Sequence, residues 1–127
     1  MWKKYSNNPH GRIVGDCAIR AVSVACGLDW GSAYALLCAK GYAYGDLPNA
    51  DFIWGAVLRD RGFLRQGISS NCPDCYTVED FCVSHPTGIF VLGCGGHVVT
   101  AISGDYYDSW DSGREVPQFY WTKGGKD

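Results

Sequence analysis

The chain has 127 residues, a formal net charge of -2 and an apolar fraction of 46%. That is enough for one domain with a single continuous core, so residues 1–127 are read as one unit. The charge is too near neutral, with no long basic run, for nucleic acid to be the main partner. No apolar stretch reaches the ~18 residues of a membrane span, and "MWKKYSNNPHGR" lacks the apolar segment of a signal peptide. A cytoplasmic, monomeric protein with no membrane partner is expected.

Residues 1–14 carry Pro9, Gly11 and few periodic apolar positions, which predicts an extended or looped arm. Asp16 can cap a helix over "CAIRAVSVAC", interrupted only by Arg20 and Ser23, with Gly27 as its stop. Apolar on nearly every side, this helix is predicted to be central and buried. Asp29 can cap a second helix through Lys40 that ends at Gly41, followed by a loop over "GYAYGDLPN". A third helix starts at Asn49 or Asp51, runs to Arg61 and is closed by Gly62. "ISSNCPDC" reads as irregular. Thr77 with Asp80 three residues on is a capping-box signal for a short helix that stops near Pro86.

Beyond Pro86 the period changes. "GIFVL", "HVVTAI", "DYYDSW" and "VPQFYW" are short β-branched and aromatic runs between turn residues, which predicts an antiparallel sheet. Helices first and strands last make the class α+β. The last residues, "KGGKD", read as frayed.

The seven cysteines are an odd and high count for this length. Without a secretion signal they are expected to be reduced, several of them buried as small hydrophobes, Cys26 and Cys38 among them. Cys17 differs, because it opens a helix. Partial positive charge and unpaired N–H groups at a helix N-terminus favour a thiolate and can hold an oxyanion. Asp16 beside it opposes thiolate formation unless its carboxylate is engaged elsewhere.

His97 is the candidate base, at the start of a strand directly after "GCGG". A third group should orient its imidazole. Ser103-Gly104 fits a two-residue type I′ turn, which pairs Ile102 with Asp105 and Ala101 with Tyr106. In that register His97 faces Trp110, and Asp108 lies diagonally beside His97 on the same sheet face. Asp111 falls on the opposite face and becomes the partner only if the turn is centred one or two residues later.

With these positions in hand, the chain resembles the papain-like cysteine peptidases. It is most similar to the very small members encoded by bacteriophages and their hosts, related to the peptidase domains that process bacteriocin leaders. The resembling stretches are "VGDCAIRAVSVACG", "GHVVTAI" and "YYDSWDSG", in the order nucleophile, histidine, acid, and they span residues 14–113. Asp108-Ser109-Trp110 looks like the Asn-Ser-Trp of plant and lysosomal members, and Tyr107-Asp108-Ser109 like the acid motif of proteases that remove ubiquitin-like modifiers. The resemblance implies a papain-like fold and a thiol hydrolase of peptide or isopeptide bonds, with Cys17 as nucleophile, His97 as base and Asp108 as orienting acid. It implies a protein or peptide substrate and no cofactor. The family sets a Gln, Asn or His five or six residues before its cysteine to build the oxyanion hole. Arg12 and Gly11 stand there in this chain, with His10 or Asn8 in reach if the arm bends, while the Cys17 amide supplies a backbone donor. The same triad also serves other acyl transfers, such as deamidation or transglutamination, and the same fold serves as a binding module without activity.

A rival constellation is Cys72, Cys75, Cys82 and His85, spaced C-x2-C-x6-C-x2-H. Thiolates and an imidazole in pairs of this kind suit tetrahedral zinc. The six-residue spacer is short for a zinc module, and Cys82 falls on the core face of the short helix with Val78. A loop CxxC plus one core cysteine, holding no metal, is the expectation.

Overall fold

A computed structural model describes residues 1–69 and 76–123, and these form four helices and six strands. In chain order they are β1 (Trp2–Lys4), α1 (Cys17–Cys26), α2 (Trp30–Tyr44), α3 (Asp51–Asp60), β2 (Phe63–Gly67), α4 (Val78–Ser84), β3 (Ile89–Cys94), β4 (His97–Ile102), β5 (Asp105–Asp108) and β6 (Pro117–Lys123). The class is α+β. All six strands form one sheet in the order β1-β5-β4-β3-β6-β2. Among the described residues no single helix is long and apolar enough to cross a membrane.

Alternation along the central strands builds the two faces of this sheet. Val91 and Val98 join Ala18, Val22, Leu37, Ile53 and Trp54 in a core between the sheet and helices α1, α2 and α3. Phe90, Leu92, Val99 and Ala101 turn the other way, onto Val78, Phe81 and Cys82 of α4. Burying side chains of this size contributes roughly 1.5–3 kcal/mol each, so the period-2 pattern of β3 and β4 locks their register. A buried polar pin adds to it, as Thr100 Oγ1 donates to the Ala21 carbonyl at 2.7 Å and ties β4 to α1.

Several sequence expectations are met. Helix α1 begins after Asp16 and stops at Gly27 in the left-handed conformation, φ 67°. Asp29 caps α2 by accepting from the Ser32 amide. Thr77 and Asp80 form the reciprocal capping box of α4. Ser103 and Gly104 both take positive φ, 52° and 84°, as a type I′ turn requires. The ladder that follows pairs Ile102 with Asp105, Ala101 with Tyr106 and Thr100 with Tyr107.

Other expectations are corrected. The sheet is mixed, not antiparallel, because the N-terminal arm supplies β1, which runs parallel to β5. Helices do not all precede strands, since β2 lies between α3 and α4 and pairs with β6 at the far edge. Only Phe63 of β2 is buried, so the strand shows no alternation to read. Helix α2 runs through Gly41 to Tyr44 and stops at Gly45, with φ 74°. Gly41 is there for close approach, since a Cβ at this position meets the Asp46 carbonyl at 2.7 Å. Cys26 and Cys38 are half-buried.

Gly55, inside α3, makes a test of packing against propensity. Alanine at an exposed helical glycine gains about 1 kcal/mol. Here the added Cβ lies 2.8 Å from Trp121 Cζ2, and that ring is buried. Overpacking costs about 1–3 kcal/mol, so Gly55→Ala is expected to lower the thermal midpoint. A raised midpoint in a calorimetric scan contradicts this packing.

Candidate active site

Cys17 is the first residue of α1, and the side chain of Asp16 makes no capping bond to the helix. The first helical amide paired within this turn is that of Arg20, to the Asp16 carbonyl. The amides of residues 17–19 are therefore free of the helix ladder and leave a local positive potential around the thiol. Helix α1 packs across β4, and this brings the half-buried thiol to the start of that strand, where His97 begins after the tight turn at Gly95 and Gly96.

The His97 side chain is 10% exposed and Asp108 is fully buried. The imidazole Nε2 lies 2.6 Å from Asp108 Oδ2. The Cys17 side chain interacts with the same ring, for which Nδ1 is the nitrogen left over. Trp110, about half exposed, lies against the imidazole with ring centroids 4.8 Å apart. The ladder between β4 and β5 ends at Thr100 and Tyr107, so Trp110 reaches His97 from the loop beyond β5 and not as a strand partner.

Asp108 is saturated with donors. Its Oδ2 also accepts from Ser112 Oγ at 2.5 Å, while Oδ1 accepts from the Ser109 amide at 2.8 Å and from Arg20 Nη2 at 3.0 Å. Its backbone carbonyl accepts from the Tyr5 amide and from Trp2 Nε1, so strand β1 grips the same residue from the edge. Asp111 turns away and serves a structural purpose, accepting from the Tyr106 hydroxyl and from the Gly113 amide. The concern raised by Asp16 is resolved by its partners: Oδ1 accepts from Arg20 Nη1 at 2.8 Å and Oδ2 from Trp30 Nε1 at 3.0 Å.

These contacts shift the ionisations in opposite directions. Burial pushes the Cys17 thiol up. The hydrogen bonds from His97 and the Val98 amide, with the charges of His97 and Arg20, outweigh it and hold the thiol below its ordinary value. For His97 burial disfavours the cation, yet the hydrogen bonds and charges of Asp108 and Cys17 raise it to about 9. Burial likewise opposes ionisation of Asp108, but the hydrogen bonds of His97 and Ser112 and the charges of His97 and Arg20 keep its carboxyl below the usual range. A thiolate–imidazolium pair over an ionised carboxylate is the state these neighbours favour.

The other thiols have different surroundings. Cys94 pairs with His97 across the β3–β4 hairpin and is pushed up to about 12, first by burial and then by Glu115, Asp108 and Cys17. Cys82 lies in the α4 core and burial raises it to about 11. His85 is stacked on Phe81 with its Nδ1 2.9 Å from the Phe81 carbonyl. Cys72 and Cys75 lie outside the described residues.

Asn8, His10, Arg12 and Val14 of the arm face Ile19, Trp30 and Tyr34 across a cleft of about 390 Å³ that Gly15 and Asp16 also line and Cys17 does not. Asn8 is committed within the arm, its Nδ2 donating to the Arg12 carbonyl and its Oδ1 accepting from the His10 amide. Gly11 is exposed in the arm with φ 65°.

Sequence reading missed Arg20 and Ser112 as partners of Asp108. Arg20 did leave a signal, as the one charged residue in an otherwise apolar helix, four positions from an acid. Ser112 left none, because its approach to Asp108 depends on how the loop after β5 folds back.

No family model, curated protein or solved structure matches this chain.

Proposed function

We propose that this protein is a thiol hydrolase of peptide or isopeptide bonds, with a papain-like arrangement of a nucleophile helix against a sheet that carries base and acid. The observation that carries the reading is the placing of Cys17, at the N-terminus of a buried helix, against His97, whose Nε2 is hydrogen-bonded to the buried Asp108. Metal plays no part in the scheme.

In this mechanism the Cys17 thiolate attacks the substrate carbonyl carbon, and the oxyanion is held by the Cys17 amide at the helix start. The His97 imidazolium gives its proton to the departing amine as the C–N bond breaks, leaving a thioester on Cys17. Water then attacks the thioester carbonyl while His97 takes its proton, and the thiolate leaves as the acid product forms. Asp108 holds the ring in one orientation and stabilises its cation throughout. The cleft between the N-terminal arm and the Trp30–Tyr34 wall is the proposed route for a peptide chain, because it is lined by Gly15 and Asp16, the two residues before Cys17, and by both apolar and polar side chains.

The test is incubation of the protein with an electrophilic peptide probe, followed by mass spectrometry to locate the adduct. The expected result is one adduct per chain, on Cys17, that is lost in His97→Ala. An adduct on Cys72 or Cys75 with Cys17 unmodified refutes the assignment.

A further inference from the structure

Arg20 is the residue this scheme leaves unused. It is 4% exposed, although it carries a full charge, and lies one helical turn from Cys17. Its two terminal nitrogens are divided between two buried carboxylates, Nη1 on Asp16 and Nη2 on Asp108. A guanidinium in a dry site is retained only with both its geometry and its charge satisfied, since isolated buried ions cost several kcal/mol. Asp16 is itself fixed by Trp30 from α2. The series Trp30, Asp16, Arg20, Asp108, His97 thus connects the helix layer to the acid at the end of β5.

We propose that Arg20 is a positioning residue of the active site, which cancels the charge of Asp16 beside the nucleophile and holds Asp108 ionised and oriented toward His97. The proposal rests on the thiol-hydrolase reading and adds a residue that touches neither substrate nor thiol. Lysine is not an equivalent, because one ammonium point charge cannot span both carboxylates as the planar fork does. Ser112 and the Ser109 amide complete the carboxylate's partners but supply no charge.

The charged and titratable groups around this centre come from each element packed on it. Asp16 directly precedes α1, to which Cys17 and Arg20 belong, while His97 lies on β4, Cys94 on β3 and Asp108 on β5. Glu115 acts from the loop before β6, on Cys94. Asp111 is bound to Tyr106 and feels Arg114. With Arg20 removed, the permanent cation paired with Asp108 is lost, and two buried carboxylates remain near the thiol. Both the Asp108 carboxyl and the Cys17 thiol then hold their protons to higher pH.

Two readouts on the full chain test this. Carbon-13 NMR follows the Asp108 carboxyl, and the pH dependence of iodoacetamide alkylation follows Cys17. In Arg20→Met the Asp108 titration and the acid limb of Cys17 alkylation are both expected to move up by about one pH unit, with Arg20→Lys in between. If Arg20→Met does not fold, the double variant Arg20→Met with Asp16→Asn keeps the net charge of the trio, and the upward movement of Asp108 is still expected. A lower thermal midpoint with both titrations unmoved overturns the proposal and leaves Arg20 a purely structural ion pair. An Asp108 shift in a protein whose Cys17 is inert at every pH supports the positioning of Asp108 and instead refutes the nucleophile assignment.

Discussion

Iodoacetamide at pH 6 is expected to modify Cys17 at least tenfold faster than any other thiol of the chain. An ordinary thiol titrates near 8.5, so only about one molecule in three hundred is thiolate at pH 6. Cys82 and Cys94, raised to about 11 and about 12, are further suppressed by orders of magnitude. Cys17 moves the other way, because His97, the Val98 amide and the Arg20 charge overcome its burial. His97→Ala removes the strongest of these aids and should slow Cys17 alkylation at pH 6 more than tenfold, while leaving the rate at pH 10 within a few fold. Peptide mapping after short labelling times gives both rates. For hydrolysis the profile has two limbs. Activity rises through the depressed titration of Cys17, where the thiolate forms. It falls as pH passes about 9, where His97 loses the proton that the leaving amine needs. A rate that keeps climbing through pH 10 would rule out the imidazolium as proton donor.

The second large effect is at Asp108. Asp108→Ala is expected to lower turnover of an activated acyl-peptide by more than an order of magnitude, since the imidazole loses its orientation and its counter-charge. Stability falls as well. Asp108 is fully buried and receives Arg20, Ser112, His97 and the Ser109 amide. Breaking a buried ion pair by removing one partner costs about 3–5 kcal/mol, tempered here because Asp16 still holds Arg20. Rates should therefore be compared well below the unfolding transition of each variant. Asp111→Ala offers the contrast. It releases the Tyr106 hydroxyl and the Gly113 amide and so loosens the loop after β5, but it leaves the His97–Asp108 bond intact. Its turnover should stay within a few fold of the parent. The reverse order of effects, with Asp111→Ala inactive and Asp108→Ala active, contradicts the acid assignment.

Much of this molecule was legible from local chemistry. Gly27, Asp29 and the Thr77–Asp80 box mark helix ends, because capping is settled by backbone groups within a turn of the capping residue, whereas Asp16 precedes α1 without capping it and gives its carboxylate to Arg20 and Trp30. Ser103-Gly104 defined the β4–β5 register, since a two-residue turn with two positive φ values admits one pairing, and that pairing brought Asp108 beside His97. What only the tertiary structure decided depends on partners remote in sequence. The mostly exposed "WKK" of β1 and "FLRQG" of β2 became strands because open sheet edges accepted their backbones, and their side chains show no alternation that signals it. Helix α2 continued through Gly41 because a loop carbonyl needs the space a side chain would fill. The meeting of Cys17 with His97 follows from α1 crossing β4, and the joining of Asp16 to Asp108 through Arg20 follows from the same crossing. Apolar periodicity said that α1 is buried; it could not say which strand the helix crosses, and that crossing is what assembles the site.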